Sequence, residues 1–90
     1  MVTVEFTSAL KRFFPHLKNE ELEADSVENL LEQVEILYPG IKKYILTETG
    51  DVREHVKVYI DDEPADRDNT LSIPLNNGQK ILIFQAISGG

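Results

Sequence analysis

The sequence has 90 residues, 41% hydrophobic and 28% charged, with a formal net charge of −7 from 9 basic and 16 acidic residues. That is one domain, residues 1–90, with enough chain for a single small core. The absence of cysteine excludes disulfides, thiolate nucleophiles and cysteine zinc sites. The basic residues are scattered along the sequence, which argues against a nucleic-acid partner.

Acidity of this kind favours encounter with a basic protein surface and also keeps a small domain soluble. No run approaches the roughly 18 apolar residues of a membrane span, and no basic-then-apolar leader is recognisable. The expected location is therefore the cytoplasm, without membrane association.

Val2, Val4 and Phe6 alternate with Thr3 and Glu5, the period of a half-buried strand. Ala9, Leu10 and Phe13 then fall at helical spacing until Pro15, predicting a short helix within 7–14. Residues 20–24 are expected to pair back on the first strand.

Asp25 and Ser26 are both N-cap residues, and Asp25 with Glu28 has capping-box spacing. Behind them Val27, Leu30, Leu31, Val34 and Leu37 form one apolar stripe, predicting an amphipathic helix that Tyr38-Pro39-Gly40 ends. A further helical turn is expected over 41–46, and a turn over 47–51.

Val56, Val58 and Ile60 alternate with His55, Lys57 and Tyr59 as a third strand, and Asp61-Asp62-Glu63-Pro64 reads as a turn. Leu71, Ile73 and Leu75 predict a short extended stretch. Asn77-Gly78 is a turn signal before a final strand over 80–87.

The order predicts a two-layer α+β domain: a mixed sheet of four to five strands, with one long helix packed on one face. The two most apolar strands, first and last, are expected to pair centrally and in parallel across a crossover. The last strand breaks the alternation. Ile81, Ile83 and Ile87 lie on one side, and Leu82, Phe84 and Ala86 on the other. With the isoleucines in the core, Leu82, Phe84 and Ala86 stand on the uncovered face as a docking patch. The competing reading covers that face as well, with the segment 7–17.

Beyond this strand the sequence ends Ser88-Gly89-Gly90. Two glycines make a thin, conformationally free thread whose reactive group is the Gly90 carboxylate.

These features together resemble the MoaD/ThiS ubiquitin-like sulfur carriers: the small subunit of molybdopterin synthase, the thiamine-pathway carrier and the carrier of a cysteine-synthesis route. The resemblance spans the chain. It rests on Val2–Phe6 with Ser8-Ala9-Leu10, on Leu37-Tyr38-Pro39-Gly40, on His55 to Ile60, on Leu71 to Leu75 before Asn77-Gly78, and on Ile81–Phe84 leading to Gly89-Gly90. It implies a β-grasp fold and a carrier without its own catalytic site, or one acting as the small subunit of molybdopterin synthase. In that family an E1-like adenylyltransferase uses ATP to activate the C-terminal carboxylate, which a sulfur donor converts to a thiocarboxylate.

A partner such as the molybdopterin synthase large subunit then accepts the sulfur. By position, the resemblance makes Gly90 the modified group, Ser88 and Gly89 the threading residues, and Phe84 a partner contact. No bound cofactor and a free monomer are expected. The chain departs from the family where proline is frequent, at Gln85-Ala86, which leaves Gln85 an N–H to donate.

His16 and His55 are far apart in sequence, and Asp61-Asp62-Glu63 lacks the ligand spacing of a calcium loop, so no metal site is expected. No catalytic constellation is recognisable. Two other functions remain consistent with the residues: a protein modifier joined through Gly90 to lysines, and a β-grasp interaction module with an idle terminus.

Overall fold

The computed structural model describes residues 1–66 and 68–85. Among them the strands and α-helices follow in the order β1 (Val2–Phe6), α1 (Ser8–Lys11), β2 (Glu20–Leu22), α2 (Val27–Leu37), α3 (Lys42–Ile45), β3 (Val56–Ile60), β4 (Glu63–Pro64) and β5 (Lys80–Gln85). The strands form one mixed sheet in the order β2-β1-β5-β3-β4. The architecture is the β-grasp, an α+β ubiquitin-like fold.

The expected central pairing is present. β1 and β5 run parallel with Val4 opposite Ile81 and Phe6 opposite Ile83. β3 joins the other side of β5 antiparallel, with Val58 opposite Ile83 and Ile60 opposite Ile81. Residues in register share a face of the sheet. The face built from Val2, Val4, Phe6, Val56, Val58, Ile81 and Ile83 is buried under α2, whose Val27, Leu30, Leu31 and Val34 complete the core. Each such side chain contributes about 1.5–3 kcal/mol on leaving water.

The segment after β1 caps one end of this core and leaves the other face of the sheet uncovered. Leu10 and Leu17 are buried in the same cluster as Ile81 and Ile83. Phe13, which shares the helical spacing of Ala9 and Leu10, is 57% exposed where they are buried. The helix closes at Lys11, and the turn that follows carries Phe13 outward.

α2 starts at Ser26, not Asp25. The Ser26 hydroxyl accepts from the Asn29 N–H at 3.1 Å, and Asn29 Oδ1 accepts from the Asp25 N–H at 3.4 Å. The hydroxyl cap therefore pairs Ser26 with Asn29, one residue later than the Asp25/Glu28 spacing suggested, and the Asn29 side chain returns to the Asp25 N–H rather than closing a capping box on Ser26. Leu37, assigned to the apolar stripe, is 47% exposed. It is the last helical residue, and the stripe passes instead to Tyr38 and Ile41, which pack on the core.

The turn beyond α2 is held by one side chain. Gly40 adopts φ +97°, a left-handed conformation that favours glycine, beside the Phe14 ring. Glu35 reaches across it and accepts from the Gly40 N–H at 2.7 Å and the Lys42 N–H at 2.9 Å. These two bonds, Gly40 first, hold its carboxyl below the usual 4.5 against a smaller opposing effect of burial, with help from the Lys42 and Lys43 charges.

Two sequence expectations change in the second half. The turn is only Asp61-Asp62, because Glu63–Pro64 pairs with β3 as β4, Ile60 opposite Glu63. The stretch around Leu71 is no strand. Thr70–Ser72 forms a 3-10 turn, and only Pro74 bridges to Ser26. Proline lacks an N–H, so its place in β4 is at the sheet edge.

The two-residue β3–β4 loop takes positive φ at both positions, 50° at Asp61 and 71° at Asp62. That turn type selects Asn-Gly or Asp-Gly. Asp61 has a reason to be there: its carboxylate accepts from the Lys80 N–H at 3.0 Å and from Gln79 Nε2 at 3.2 Å. Asp62 makes only an exposed ion pair with Lys80 at 3.5 Å, a contact of small value.

Two outcomes follow from these contacts. Asp62→Gly is expected to raise unfolding stability by about 1 kcal/mol, by removing left-handed strain, as read by urea denaturation. Glu35 has a lowered carboxyl pKa, so its stabilisation is complete above the unfolded value of 4.5 and fades as pH falls through the folded value. Glu35→Gln should therefore be less stable than the parent chain near neutrality. The gap should close on acidification below about pH 4.5; a gap that does not change with pH rejects this role for Glu35.

Candidate functional site

β5 lies at the middle of the sheet, bonded on both sides, and it delivers the chain toward Gly90. Its end is fastened from two directions. Val56 of β3 stands opposite Gln85. On the other side the Thr7 N–H donates to the Ile83 carbonyl at 3.3 Å, and the Gln85 N–H donates to Thr7 Oγ1 at 3.2 Å. This last bond uses the N–H that a proline at position 85 would lack. The strand is thus held through Gln85.

The remaining predicted site residues, Ala86, Ser88, Gly89 and Gly90, lie outside the described residues, as does Ile87. Five residues beyond Gln85 span at most about 17 Å when extended. An enzyme acting on Gly90 therefore works within that distance of the end of β5.

Phe84 and Leu82 stand where the alternation placed them. Both point to the face of the sheet opposite α2; Phe84 is 38% exposed and Leu82 is half-buried. Register shows what surrounds them. Leu82 lies between Glu5 of β1 and Tyr59 of β3, and Phe84 lies beside Lys57. The result is an apolar strip of Phe84, Leu82 and Tyr59 with one charge on each flank. A small apolar centre with a polar rim is the usual anatomy of a protein contact surface.

Tyr59 was not among the predicted docking residues. Its signal was available in the sequence, since it occupies the outward phase of β3 beside Lys57.

Other chemistry is sparse. His16 and His55 are both exposed, and no three His, Asp or Glu side chains among the described residues are grouped to hold a metal. A groove of about 550 Å³ runs between α2, α3 and the following loop, with Leu31, Leu46 and Leu71 inside it and Lys42, Glu48 and Arg53 around it. Its lining also includes Thr47, and no histidine or serine is among the residues that line it. No described helix is long and apolar enough to cross a membrane.

The face assignment has a direct test in stability. Ile83→Ala should cost about 2–5 kcal/mol, the range for a fully buried branched side chain. Phe84→Asp should cost no more than about 1 kcal/mol, the span of strand propensity at an open position. Equal losses in paired urea titrations would invert the two faces.

No curated protein matches the sequence significantly. Solved structures do. A chain of the BexX/CysO complex of Amycolatopsis orientalis is 26% identical with a TM-score of 0.85, each chain covered in full. CysO of Mycobacterium tuberculosis, described as an antigen, is 21% identical with a TM-score of 0.83, over 97% of this chain and 100% of its own. SAMP1 of Haloferax volcanii is 18% identical with a TM-score of 0.77, over 99% and 98%. At such identities the last two show the fold alone. The family model described as the ThiS family matches residues 4–90, so the chain belongs to this family of ubiquitin-like sulfur carriers.

Proposed function

We propose that the protein carries sulfur on the main-chain carboxyl of Gly90. Supporting this is the way β5 is held on both sides through Gln85, in a chain whose ThiS-family match runs through Gly89-Gly90. The chemistry suits a chain with no cysteine, since the cargo needs no side-chain thiol.

A free carboxylate is a poor acyl donor. An E1-like partner using ATP supplies the leaving group: a Gly90 oxygen attacks the α-phosphorus and pyrophosphate departs, leaving an acyl-adenylate. With hydrosulfide as the simplest donor, a carbon–sulfur bond forms, the bond to AMP breaks and a proton is released. The thiocarboxylate then passes its sulfur to an accepting enzyme, of which the molybdopterin synthase large subunit is one type; molybdopterin, cysteine and thiamine synthesis are the candidate routes.

Gly89 and Ser88 offer little bulk to a narrow channel, and the Phe84–Leu82 surface, with Ala86 beyond it, docks the partner. In this reading the protein binds no cofactor itself and ATP belongs to the activating enzyme.

Incubation with an E1-like enzyme, ATP and hydrosulfide should exchange one oxygen for one sulfur in the intact mass, and deletion of Gly90 should abolish the exchange. An unchanged mass, with the enzyme shown active on another carrier, would reject the reading. The likeness to a small archaeal modifier protein is one of fold alone. Diglycine remnants on lysines of other proteins would redirect the same activated carboxyl to conjugation.

A further inference from the structure

Phe13 leaves the core, and the structure shows where it goes. Its ring stacks on Tyr44 of α3, centroids 4.9 Å apart and planes 23° from parallel, while Phe14 meets the same Tyr44 edge-on at 5.5 Å. The stack brings together two segments that are distant in sequence. Lys11 and Arg12 precede Phe13, and Lys42 and Lys43 precede Tyr44. Four of the 9 basic residues of an acidic chain thus flank one aromatic pair, an exposed Phe13 on a half-buried Tyr44.

No ion pair among the described residues engages these four cations. Glu35, the carboxylate on which the Lys42 and Lys43 charges act, has its oxygens bonded to the Gly40 and Lys42 N–H groups. The face is also joined to the end of β5. α1 begins directly after Thr7, the residue that fastens both Ile83 and Gln85 at the end of β5. It is separate from the Phe84 strip, which lies on the uncovered face of the sheet.

From this juxtaposition we infer that the Phe13–Tyr44 stack and its four lysine and arginine neighbours form a second docking surface for an acidic protein surface. That acidic surface belongs to the enzyme that activates Gly90, and the inference rests on the carrier reading above. The tail spans at most about 17 Å beyond Gln85, so the enzyme holding it lies over this end of the molecule. Local cations steer such an encounter even when the whole chain carries the opposite sign. The exposed Phe13 ring supplies an apolar anchor at the centre of the charges. The overall charge of −7 makes a polyphosphate a poor alternative.

The test separates local from overall charge. Lys11→Gln with Arg12→Gln lowers the net charge by two at this end. Ser72→Glu with Asn76→Glu lowers it equally beside Pro74, where the chain bridges to the start of α2 at the far end. Both pairs of positions are exposed, and urea titration checks that each variant folds.

The readout is the initial rate of thiocarboxylate formation by an E1-like enzyme that charges the parent chain, with ATP and hydrosulfide, at subsaturating carrier. The Lys11/Arg12 pair should slow the reaction about tenfold at low salt, with the deficit shrinking as salt rises. Phe13→Ser should slow it about fivefold or more at any salt. The Ser72/Asn76 pair should react at the parent rate.

Equal slowing by both charge pairs, or an unchanged rate for the Lys11/Arg12 pair and Phe13→Ser together, overturns the second surface and leaves the carrier reading standing. Failure of the parent chain to be charged by any such enzyme overturns both. Saturable binding of mixed-sequence single-stranded RNA, lost in the Lys11/Arg12 pair, would assign the face to nucleic acid instead and overturn the inference.

Discussion

The parallel pairing of β1 with β5 is the constraint on which the rest of the molecule depends. It joins the first strand to the last across the whole chain, with Val4 opposite Ile81 and Phe6 opposite Ile83. Every intervening element must fit within that closure. α2 covers the buried face, and β2 and β3 take the places on either side of the central pair. Such a contact has a high closure cost because it links residues far apart in sequence, so it forms only with the apolar area that accompanies it. The isoleucines of β5 and the valines of β1 supply that area.

The same closure sets the functional geometry. A strand in the middle of a sheet is bonded along both sides, so its end is the best-determined point from which a short thread can start. Thr7 continues the restraint past β1 by bonding Ile83 and Gln85. One face of β5 serves the core and the other carries Leu82 and Phe84, so core-facing and outward-facing apolar residues alternate along the strand. In the carrier reading proposed above, the reacting group is the Gly90 carboxyl, and the fold's contribution is to fix the strand that leads to it.

Strands with clean alternation were legible in the sequence, as were α2 and the central pairing. The broken alternation of β5 was legible too, because an apolar residue in the solvent phase of a strand has no local reason to be there. Other features depend on tertiary partners. Glu63-Pro64 has a turn-like composition, yet it pairs with β3 because two left-handed aspartates reverse the chain within two residues. Leu71 and Ile73 have strand-like side chains but pack on the core from a 3-10 turn and the chain just beyond it.

Phe13 and Leu37 fit the helical period and still fall outside the core, since each lies where its helix has just ended or is ending. On the open face, Leu82 and Phe84 are readable from the strand period, Tyr59 joins them through the β3–β5 register, and the clustering of Lys11 and Arg12 with Lys42 and Lys43 exists only through the Phe13–Tyr44 stack.

The two outer strands carry a different lesson. β2 is three residues long and bears Glu20 and Glu21, with Glu23 just beyond, while β4 is two residues long and includes Pro64. Neither rim offers a long uncharged ladder for another chain to extend. Associates are thereby confined to side-chain surfaces, whose grip can be weak and quickly released, and are denied the lasting backbone zipper of strand addition. In the carrier reading proposed above, in which one enzyme loads the molecule and another empties it, this resistance to being captured would keep it in circulation.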